Sequence, residues 1–320
     1  MSKCRETASV VIATLNRPDE IQRCITSIAN QSIRPRQIIV IDAGDLQDTR
    51  NLIADTCQES GIEFVYKQGA PSTTVQRNQG ARYVDSSVVY FLDDDVELES
   101  DYIQKTLELY ERDPEHGIAG VSGVIDPDYA SSKGFWRWYT KVFLLAETRK
   151  DTCSRLKSSN FPIHLTELSR VRECEIMPST AVCYRTEIFR QYEFDRDLTG
   201  YVMAEDLDLS YRISRKFRLL TTPEAVYRHS KSKVSRNSPR EMEKRRLLFT
   251  QYFFRKNQGV SLWRHFARYW SILGLLLRTL YVGVSSGNLQ RFLGVCDGLR
   301  AAAKNKLLGP RRFRPGPLVH

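Results

Sequence analysis

The stretch VVYFLDDDVELES, residues 88–100, leads an apolar run directly into three consecutive aspartates. Apolar, β-branched and aromatic residues in a run of this length are typical of a buried strand. Three adjacent carboxylates repel one another, so their position at the end of a strand indicates a positively charged partner that relieves the repulsion. The identity of that cation is the first question that the sequence raises.

Three further apolar runs precede this one: SVVIAT at residues 9–14, QIIVID at 37–42 and GIEFVYK at 61–67. Helical patterns lie between the runs, the clearest being an apolar stripe formed by Ile21, Cys24, Ile25 and Ile28. Alternation of strands and helices predicts right-handed βαβ units. The expected fold class is therefore α/β, with a Rossmann-like, mostly parallel sheet flanked by helices.

In a parallel sheet the carboxyl ends of the strands meet at one edge, where such folds bind their ligands. Polar residues follow three of the predicted strands, at residues 14–16, at Asp42 and at residues 93–95. We expect all of them on one rim. The chain contains neither GxGxxG nor GxxxxGK[ST], so phosphates are expected to be held without a glycine-rich loop.

Alternate side chains of a strand face the same way, so Asp93 and Asp95 are expected on one face and Asp94 on the other. Two carboxylates on one face suit Mg²⁺ or Mn²⁺, which keeps further positions for phosphate oxygens. Such an ion would relieve the acidic cluster and stabilise a diphosphate as a leaving group. The alternative is a solvated acidic strand end, because a DxD pattern alone is a weak signal.

A second acidic cluster opens the segment EDLDLSYRI, residues 205–213, which predicts a helix. Glu205 and Asp206 in its first turn have two interpretations. Carboxylates stabilise the amino-terminal end of a helix dipole. A carboxylate in a cleft also serves as a general base, which takes the proton of an attacking hydroxyl.

Five segments occur in an order that resembles the inverting family 2 glycosyltransferases of the GT-A fold: SVVIATLNRPDEIQRCITSIANQS, RQIIVIDAGD, QRNQGAR, YFLDDDVEL and EDLDLSYRI. The resemblance covers residues 8–229. It implies a nucleotide-diphosphate sugar donor, with a UDP-sugar expected first. It also implies Mg²⁺ or Mn²⁺ as cofactor and a hydroxyl acceptor on a glycan or a lipid-linked molecule.

The resemblance also implies a role for each matching residue. Those implied to bind the donor nucleotide and diphosphate are Thr14, Asn16, Asp42, Arg77, Asn78 and Asp94. Those implied to hold the metal are Asp93, Asp95 and His229. Asp206 matches the general base, with Glu205 beside it as the second catalytic acid.

The chain departs from the family pattern at two places. Ala43 and Asp45 stand where relatives carry the second acid and the serine of a D-D-G-S motif. Residues 177–185, MPSTAVCYR, lack the small glycine-rich patch that is common before the E-D pair. Base recognition and the acceptor pocket are therefore expected to differ from those of relatives.

Beyond residue 230 the composition becomes basic and aromatic, in a chain of 320 residues with a net charge of +10. Residues 269–284 are strongly apolar but contain Arg278, and they are short for a membrane-crossing helix, which needs ~20 apolar residues. We expect a GT-A domain at residues 1–230 and an amphipathic helical extension at residues 231–320. That extension would lie on an anionic membrane surface, the alternative being helices packed on the domain.

A second segment, KGFWRWYTKVFLLAETRK at residues 133–150, mixes aromatic, apolar and basic side chains in the same way. It suits a bilayer surface that admits a lipid-linked acceptor. It equally suits an amphipathic helix that covers the acceptor cleft. These two interpretations are compatible.

The seven cysteines include no C-x-x-C pair, which predicts reduced thiols, and the amino terminus is a poor signal peptide. These two features predict a cytoplasmic protein. The family resemblance, together with the basic aromatic extension, implies a protein that is peripheral on the inner face of the cell membrane and active in cell-surface polysaccharide assembly. One alternative, a nucleotidyltransferase acting on sugar phosphates, would need a glycine-rich basic loop where TLNRPDE stands. The other, a non-catalytic basic membrane-binding protein, leaves the acidic strand ends unexplained. No nucleic-acid motif is present, so no nucleic acid is expected as partner.

Overall fold

The computed structural model describes residues 6–44, 47–125, 134–198, 204–230, 238–258 and 261–304. The first half of the fold consists of β1 (Ala8–Thr14), α1 (Pro18–Ala29), β2 (Gln37–Asp42), α2 (Gln47–Glu59), β3 (Glu63–Gln68), α3 (Thr73–Ala81), β4 (Val88–Asp93), β5 (Val96–Leu98), α4 (Tyr102–Glu111) and β6 (Ile118–Ile125). There follow α5 (Phe135–Val142), β7 (Glu147–Lys150), β8 (Arg155–Leu156), β9 (Pro162–Glu167), β10 (Arg172–Cys174), β11 (Ala181–Arg185) and a short 3₁₀ helix (Thr186–Arg190). The last elements are α6 (Glu205–Ser214), β12 (Arg218–His229), α7 (Pro239–Asn257), α8 (Leu262–Ser286) and α9 (Gln290–Lys304).

A nine-stranded sheet in the order β10-β12-β6-β11-β4-β1-β2-β3 forms the centre of the molecule, and β5 pairs with β12. β1 runs parallel to both β2 and β4, and β2 runs parallel to β3. The α/β sheet predicted from the alternating pattern is therefore confirmed. β11 lies antiparallel between β4 and β6, a feature that the sequence pattern did not indicate.

Helices cover both faces of this sheet, because every central strand is apolar on both sides. On β1, Val10 and Ile12 pack on one face and Val11 packs on the other. The predicted stripe of α1 is confirmed, since Ile21, Cys24, Ile25 and Ile28 are all buried. Pro18 begins that helix, where its missing N–H costs nothing.

The register of the strands sets the position of the polar rim. Thr14 at the end of β1 lies opposite Asp42 of β2, and Ala13 lies opposite Asp93 of β4. Three predicted strand ends therefore share one edge of the sheet, as expected. β4 ends at Asp93, and residues 94–95 form a turn into β5, so it is this turn, rather than strand alternation, that orients Asp94 and Asp95.

A small second sheet, β7-β9-β8, follows α5 in the chain. Residues 134–150 are thus divided between a helix and a strand, and residue 133 lies outside the described residues. Among the described cysteines, none forms a disulfide, as predicted.

The helix α8 packs one side on the rest of the protein and exposes the other. Its exposed residues join those of α5 to form a surface that we call the apolar face: Phe135, Trp138, Val142, Leu262, Trp263, Phe266, Tyr269, Leu273, Leu277, Leu280, Tyr281 and Val284. Trp136 contacts Tyr281 and Phe143 stacks on Trp270, at 5.9 Å and 4.9 Å between ring centroids. These contacts join α5 and α8 into one surface. Within the described residues, no helix combines the length and the apolar character that crossing a bilayer requires.

Candidate active site

Two aspartates and a histidine converge at the rim. Asp93 ends β4, Asp95 lies in the following turn, and His229 ends β12. One ligand atom from each of the three lies within 4.8 Å of the other two. His229 Nε2 is 3.0 Å from Asp95 Oδ1. β12 supplies His229 because its end pairs with β5, where His229 lies opposite Val96.

This donor set fits a divalent cation. Two carboxylate oxygens and an imidazole nitrogen are ligands that Mn²⁺ accepts, and Mg²⁺ accepts the carboxylates. Burial raises the pKa of Asp93 to about 6, although Arg77 opposes the shift. The Asp93 side chain is nevertheless 34% exposed. The surrounding protein therefore excludes water from part of the carboxylate and leaves the rest accessible to solvent. A cation at this position would favour the charged form of the carboxylate.

Asp94 points away from this cluster. It is only 4% exposed. Thr14 Oγ1 donates to one carboxylate oxygen at 2.8 Å, and Arg17 Nη1 donates to the other at 2.9 Å. Burial raises the pKa of Asp94, and Arg17 opposes that shift. Thr14 and Asp94, both predicted to contact the donor, therefore bind each other, and a direct contact of either with a nucleotide stays a prediction.

Arg77 is a buried junction between the metal cluster and α6. Its side chain is 1% exposed. Nη2 donates to Asp93 Oδ1 at 2.6 Å, and Nη1 donates to Glu205 Oε1 at 3.2 Å. Ser179 accepts from Arg77 with its hydroxyl at 2.8 Å and with its carbonyl at 3.3 Å. The guanidinium thus fixes the distance between Asp93 and the start of α6.

The start of α6 holds the two predicted catalytic acids in different environments. Ala204 precedes the helix with a left-handed backbone, at a φ of 79°. Glu205 is buried, and burial together with Asp206 raises its pKa to about 7, although Arg77 opposes the shift. Asp206 is only half-buried, and its carboxylate accepts from the N–H groups of Leu207 at 2.8 Å and Ser179 at 3.4 Å. Asp206 is therefore the more accessible of the two acids.

The other predicted donor-binding residues line the opposite side of the rim. Asp42 is fully buried and accepts from Gly44 N–H at 2.8 Å and from the Tyr66 hydroxyl at 2.7 Å. Asn16 has a positive φ of 54°. A Cβ on Gly44 would come within 2.1 Å of Asn16 Oδ1, so the loops after β1 and β2 touch only because residue 44 is glycine. Asp45 lies outside the described residues.

The side chain of Asn78 has a structural role. Its amide exchanges two hydrogen bonds with the backbone of Phe194, at 2.8 Å and 2.9 Å. The neighbouring Gln76 donates to the carbonyls of Thr14 and Ile41 at 2.9 Å and 2.8 Å. α3 therefore ties together the ends of β1 and β2 and the segment before α6, and a nucleotide contact for Asn78 stays a prediction.

The sequence left three residues of this region unassigned. Arg17 lies 2.9 Å from Asp94 and 3.8 Å from Asp95, and its position beside Pro18 in the loop after β1 was the available signal. Ser179 contacts Arg77, Glu205 and Asp206, and nothing local distinguishes it from other serines. His164 is exposed, yet the surrounding protein lowers its pKa, and the charge of Asp206 opposes the shift.

The fold is that of the GT-A glycosyltransferases. The chain is similar to the mannosyltransferase PcManGT of Pyrobaculum calidifontis, solved in complex with GDP-Man and Mn²⁺, with a TM-score of 0.60 and 14% identity over 94% of this chain and 88% of the other. It is also similar to GalNAc-T7, solved with UDP, GalNAc and Mn²⁺, with a TM-score of 0.58 and 12% identity over 90% of this chain and 60% of the other.

The chain belongs to glycosyl transferase family 2, whose family model matches residues 9–190. Among curated proteins it is similar to the GalNAc(5)-diNAcBac-PP-undecaprenol beta-1,3-glucosyltransferase of Campylobacter jejuni. The two are 33% identical over 95 residues, which are 28% of this chain and 30% of the relative. The match thus spans less than a third of that relative.

Proposed function

We propose that this protein is a metal-dependent inverting glycosyltransferase that moves a sugar from a nucleotide-diphosphate sugar to an acceptor hydroxyl. The observation that carries the proposal is the convergence of Asp93, Asp95 and His229 within 4.8 Å. Arg77 connects this cluster directly to Glu205 at the start of α6. A diphosphate-binding cation and a general base would then stand on the two sides of one reacting sugar.

In this proposal Mg²⁺ or Mn²⁺ is held by Asp93, Asp95 and His229. A bound dication would supply positive charge to the diphosphate as it leaves. Both solved neighbours contain Mn²⁺ and a nucleotide, which supports the metal without deciding between the two ions. UDP and GDP-Man each occur in one neighbour. We propose a UDP-sugar, on the family resemblance of the strand that ends in Asp42.

We propose Asp206 as the general base. Its carboxylate is half-buried and is oriented by two backbone N–H groups, so it keeps a fixed direction without losing access to solvent. It would take the acceptor's proton as the hydroxyl attacks the anomeric carbon from the face opposite the diphosphate. Direct displacement of this kind inverts the configuration at that carbon. Glu205, whose pKa is raised to about 7, holds Arg77 in place behind Asp206.

We further propose that the acceptor is lipid-linked or part of a growing surface glycan, and that the enzyme works at the inner face of the cell membrane. The apolar face supports this setting, because exposed aromatic and aliphatic side chains in one continuous patch mark a contact surface. Neither α5 nor α8 contains an acidic residue, which suits an anionic membrane. The Campylobacter jejuni relative is named for an undecaprenol-linked glycan.

The domain boundary near residue 230 is part of the same proposal. β12 ends at His229 inside the central sheet, and α7, α8 and α9 follow as helices. Because α5 of the first segment contributes Phe135, Trp138 and Val142 to the apolar face, we propose that both segments contact the membrane.

The test is a transfer assay with a panel of nucleotide sugars, with and without Mn²⁺ or Mg²⁺, and with the anomeric configuration of the product determined by NMR. We expect one donor to be consumed only in the presence of metal, with inversion. Consumption of a nucleoside triphosphate and a sugar phosphate instead, or no consumption of any donor with either metal, would refute the proposal.

A further inference from the structure

A cavity lies at the far end of α6 from the proposed catalytic acids. Its volume is about 570 Å³. Five of its lining residues are basic and none is acidic: Arg190, Arg212, Arg215, Lys216 and Lys256. Two tyrosine rings, Tyr192 and Tyr211, complete the wall. Six residues separate Asp206 from Arg212, a rise of about 9 Å along a helix, so this cavity is a different place from the rim.

The five cations carry more charge than their protein partners neutralise. Lys256 Nζ lies 2.6 Å from Asp195 and 2.9 Å from Asp208, and Arg212 shares Asp208 at 2.9 Å. Arg215 pairs with Glu175 at 2.5 Å. Arg190 and Lys216 are exposed, and within the described part of the chain neither forms an ion pair.

A simpler explanation accounts for only part of this cluster. Arg215 and Lys216 lie just after the last turn of α6, where positive charge stabilises the helix dipole. Arg190 comes from the 3₁₀ helix after β11, and Lys256 comes from the end of α7. Three separate elements therefore bring basic side chains to one cavity, which a helix-end effect does not require.

We propose that this cavity is a binding site for a phosphate- or diphosphate-bearing molecule, separate from the sugar-donor site. Three of the five cations are arginines, whose planar forks match the oxygens of phosphate groups. Lys216 adds a mobile point charge at the opening. The cavity volume lies in the range of small-molecule sites, so the ligand is a small phosphorylated compound or the headgroup of a phosphate-bearing lipid.

The experiment uses the full-length protein in a chelator, without any nucleotide sugar, so that its outcome does not depend on sugar transfer. Inorganic pyrophosphate is titrated by isothermal calorimetry. In a second arm, binding to vesicles of neutral lipid with and without phosphatidic acid is measured by flotation. The test variant is Arg190→Ala/Lys216→Ala, which changes exposed side chains outside the ion pairs that hold Asp208.

The matched control is Arg82→Ala/Arg170→Ala, which removes the same charge from exposed residues that do not line the cavity. We expect saturable binding in at least one arm, at least tenfold weaker in the test variant and unchanged in the control. Loss in the pyrophosphate arm identifies a soluble ligand, and loss in the vesicle arm alone identifies a lipid headgroup. Equal loss in both variants, unchanged binding in the test variant, or no binding in either arm would overturn the proposal.

Discussion

The polar rim of the sheet and the apolar face depart in opposite ways from the usual distribution of side chains, in which charged groups are exposed and apolar groups are buried. At the rim, carboxylates lie inside: Asp94, Asp95 and Glu205 are each no more than 9% exposed. Along α8, apolar side chains lie outside, with Leu262 90% exposed and Val284 68% exposed. Water favours neither arrangement, since burial of charge and exposure of apolar surface both cost free energy.

The inner side of α8 makes the contrast sharper. Arg268 is fully buried on that side, and Ser271 and Thr279 of the same helix are also buried. α8 is thus more polar inside than outside, the reverse of a helix on a water-soluble domain.

Each anomaly points to a partner that supplies what water does not. At the rim, Arg17 and Arg77 neutralise part of the buried negative charge, and the proposed dication would supply the rest. At the apolar face none of the residues that the structure describes supplies cover, and the proposed lipid surface would do so. The predictions below test these two partners separately, beginning with the largest expected effect.

Replacing Asp206 by Asn should lower the transfer rate by about 10²–10⁴-fold, the usual contribution of a general base. The binding of donor and of Mn²⁺ should not change, because Asp206 is not in the metal cluster. Steady-state kinetics and Mn²⁺ titration measure the two effects. Asp297→Asn on α9 serves as a control. A variant with normal kcat would exclude Asp206 as the base.

Replacing Asp95 by Asn should lower the transfer rate by about 10²–10³-fold, the cost of losing one charge-stabilising group from an active site. It should also weaken Mn²⁺ binding, which paramagnetic resonance measures without any turnover. Unchanged Mn²⁺ affinity in this variant would show that the metal does not bind at the rim.

The double substitution Trp263→Ser/Phe266→Ser should reduce partitioning onto anionic vesicles at least about tenfold, since each large apolar side chain gains about 1.5–3 kcal/mol on full burial. Transfer to a soluble acceptor should not change. Leu52→Ser/Tyr83→Ser is the matched control, because both residues are exposed but lie outside the apolar face. Equal partitioning of the two double variants would contradict a membrane contact at the apolar face. A dimer that dissociates only in the Trp263→Ser/Phe266→Ser variant would show that a second copy of the chain covers this face instead.

The smallest effect concerns pH. The folded-state pKa of Glu205, about 7, lies above its unfolded value, so the folded protein binds the extra proton between the two. Stability from this group is therefore present at low pH and is lost as pH rises toward 7. Relative to Glu205→Gln, the free energy of unfolding of the chelated wild type should fall by about 2 kcal/mol between pH 5 and pH 7. Denaturant unfolding at several pH values measures this difference. The same pH dependence in wild type and variant would contradict the buried environment assigned to Glu205.

Local pattern was sufficient for much of the fold. The apolar runs gave β1, β2 and β4 to within a residue of their observed ends, because these strands are buried on both faces and need no partner to be recognised. The short strands β7, β8 and β10 escaped recognition. They are only two to four residues long and largely polar, and their pairing depends on distant segments.

The sequence by itself determined the class of fold and the acidic ends of its strands, because strand periodicity and residue type are local properties of the chain. Only the tertiary structure decided the role of Arg77, which spans Asp93 and Glu205, residues 16 and 128 positions away. It likewise decided which side of α8 faces outward. Helical spacing gives two faces to every helix, and only packing against α5, α7 and α9 selects the one that is covered.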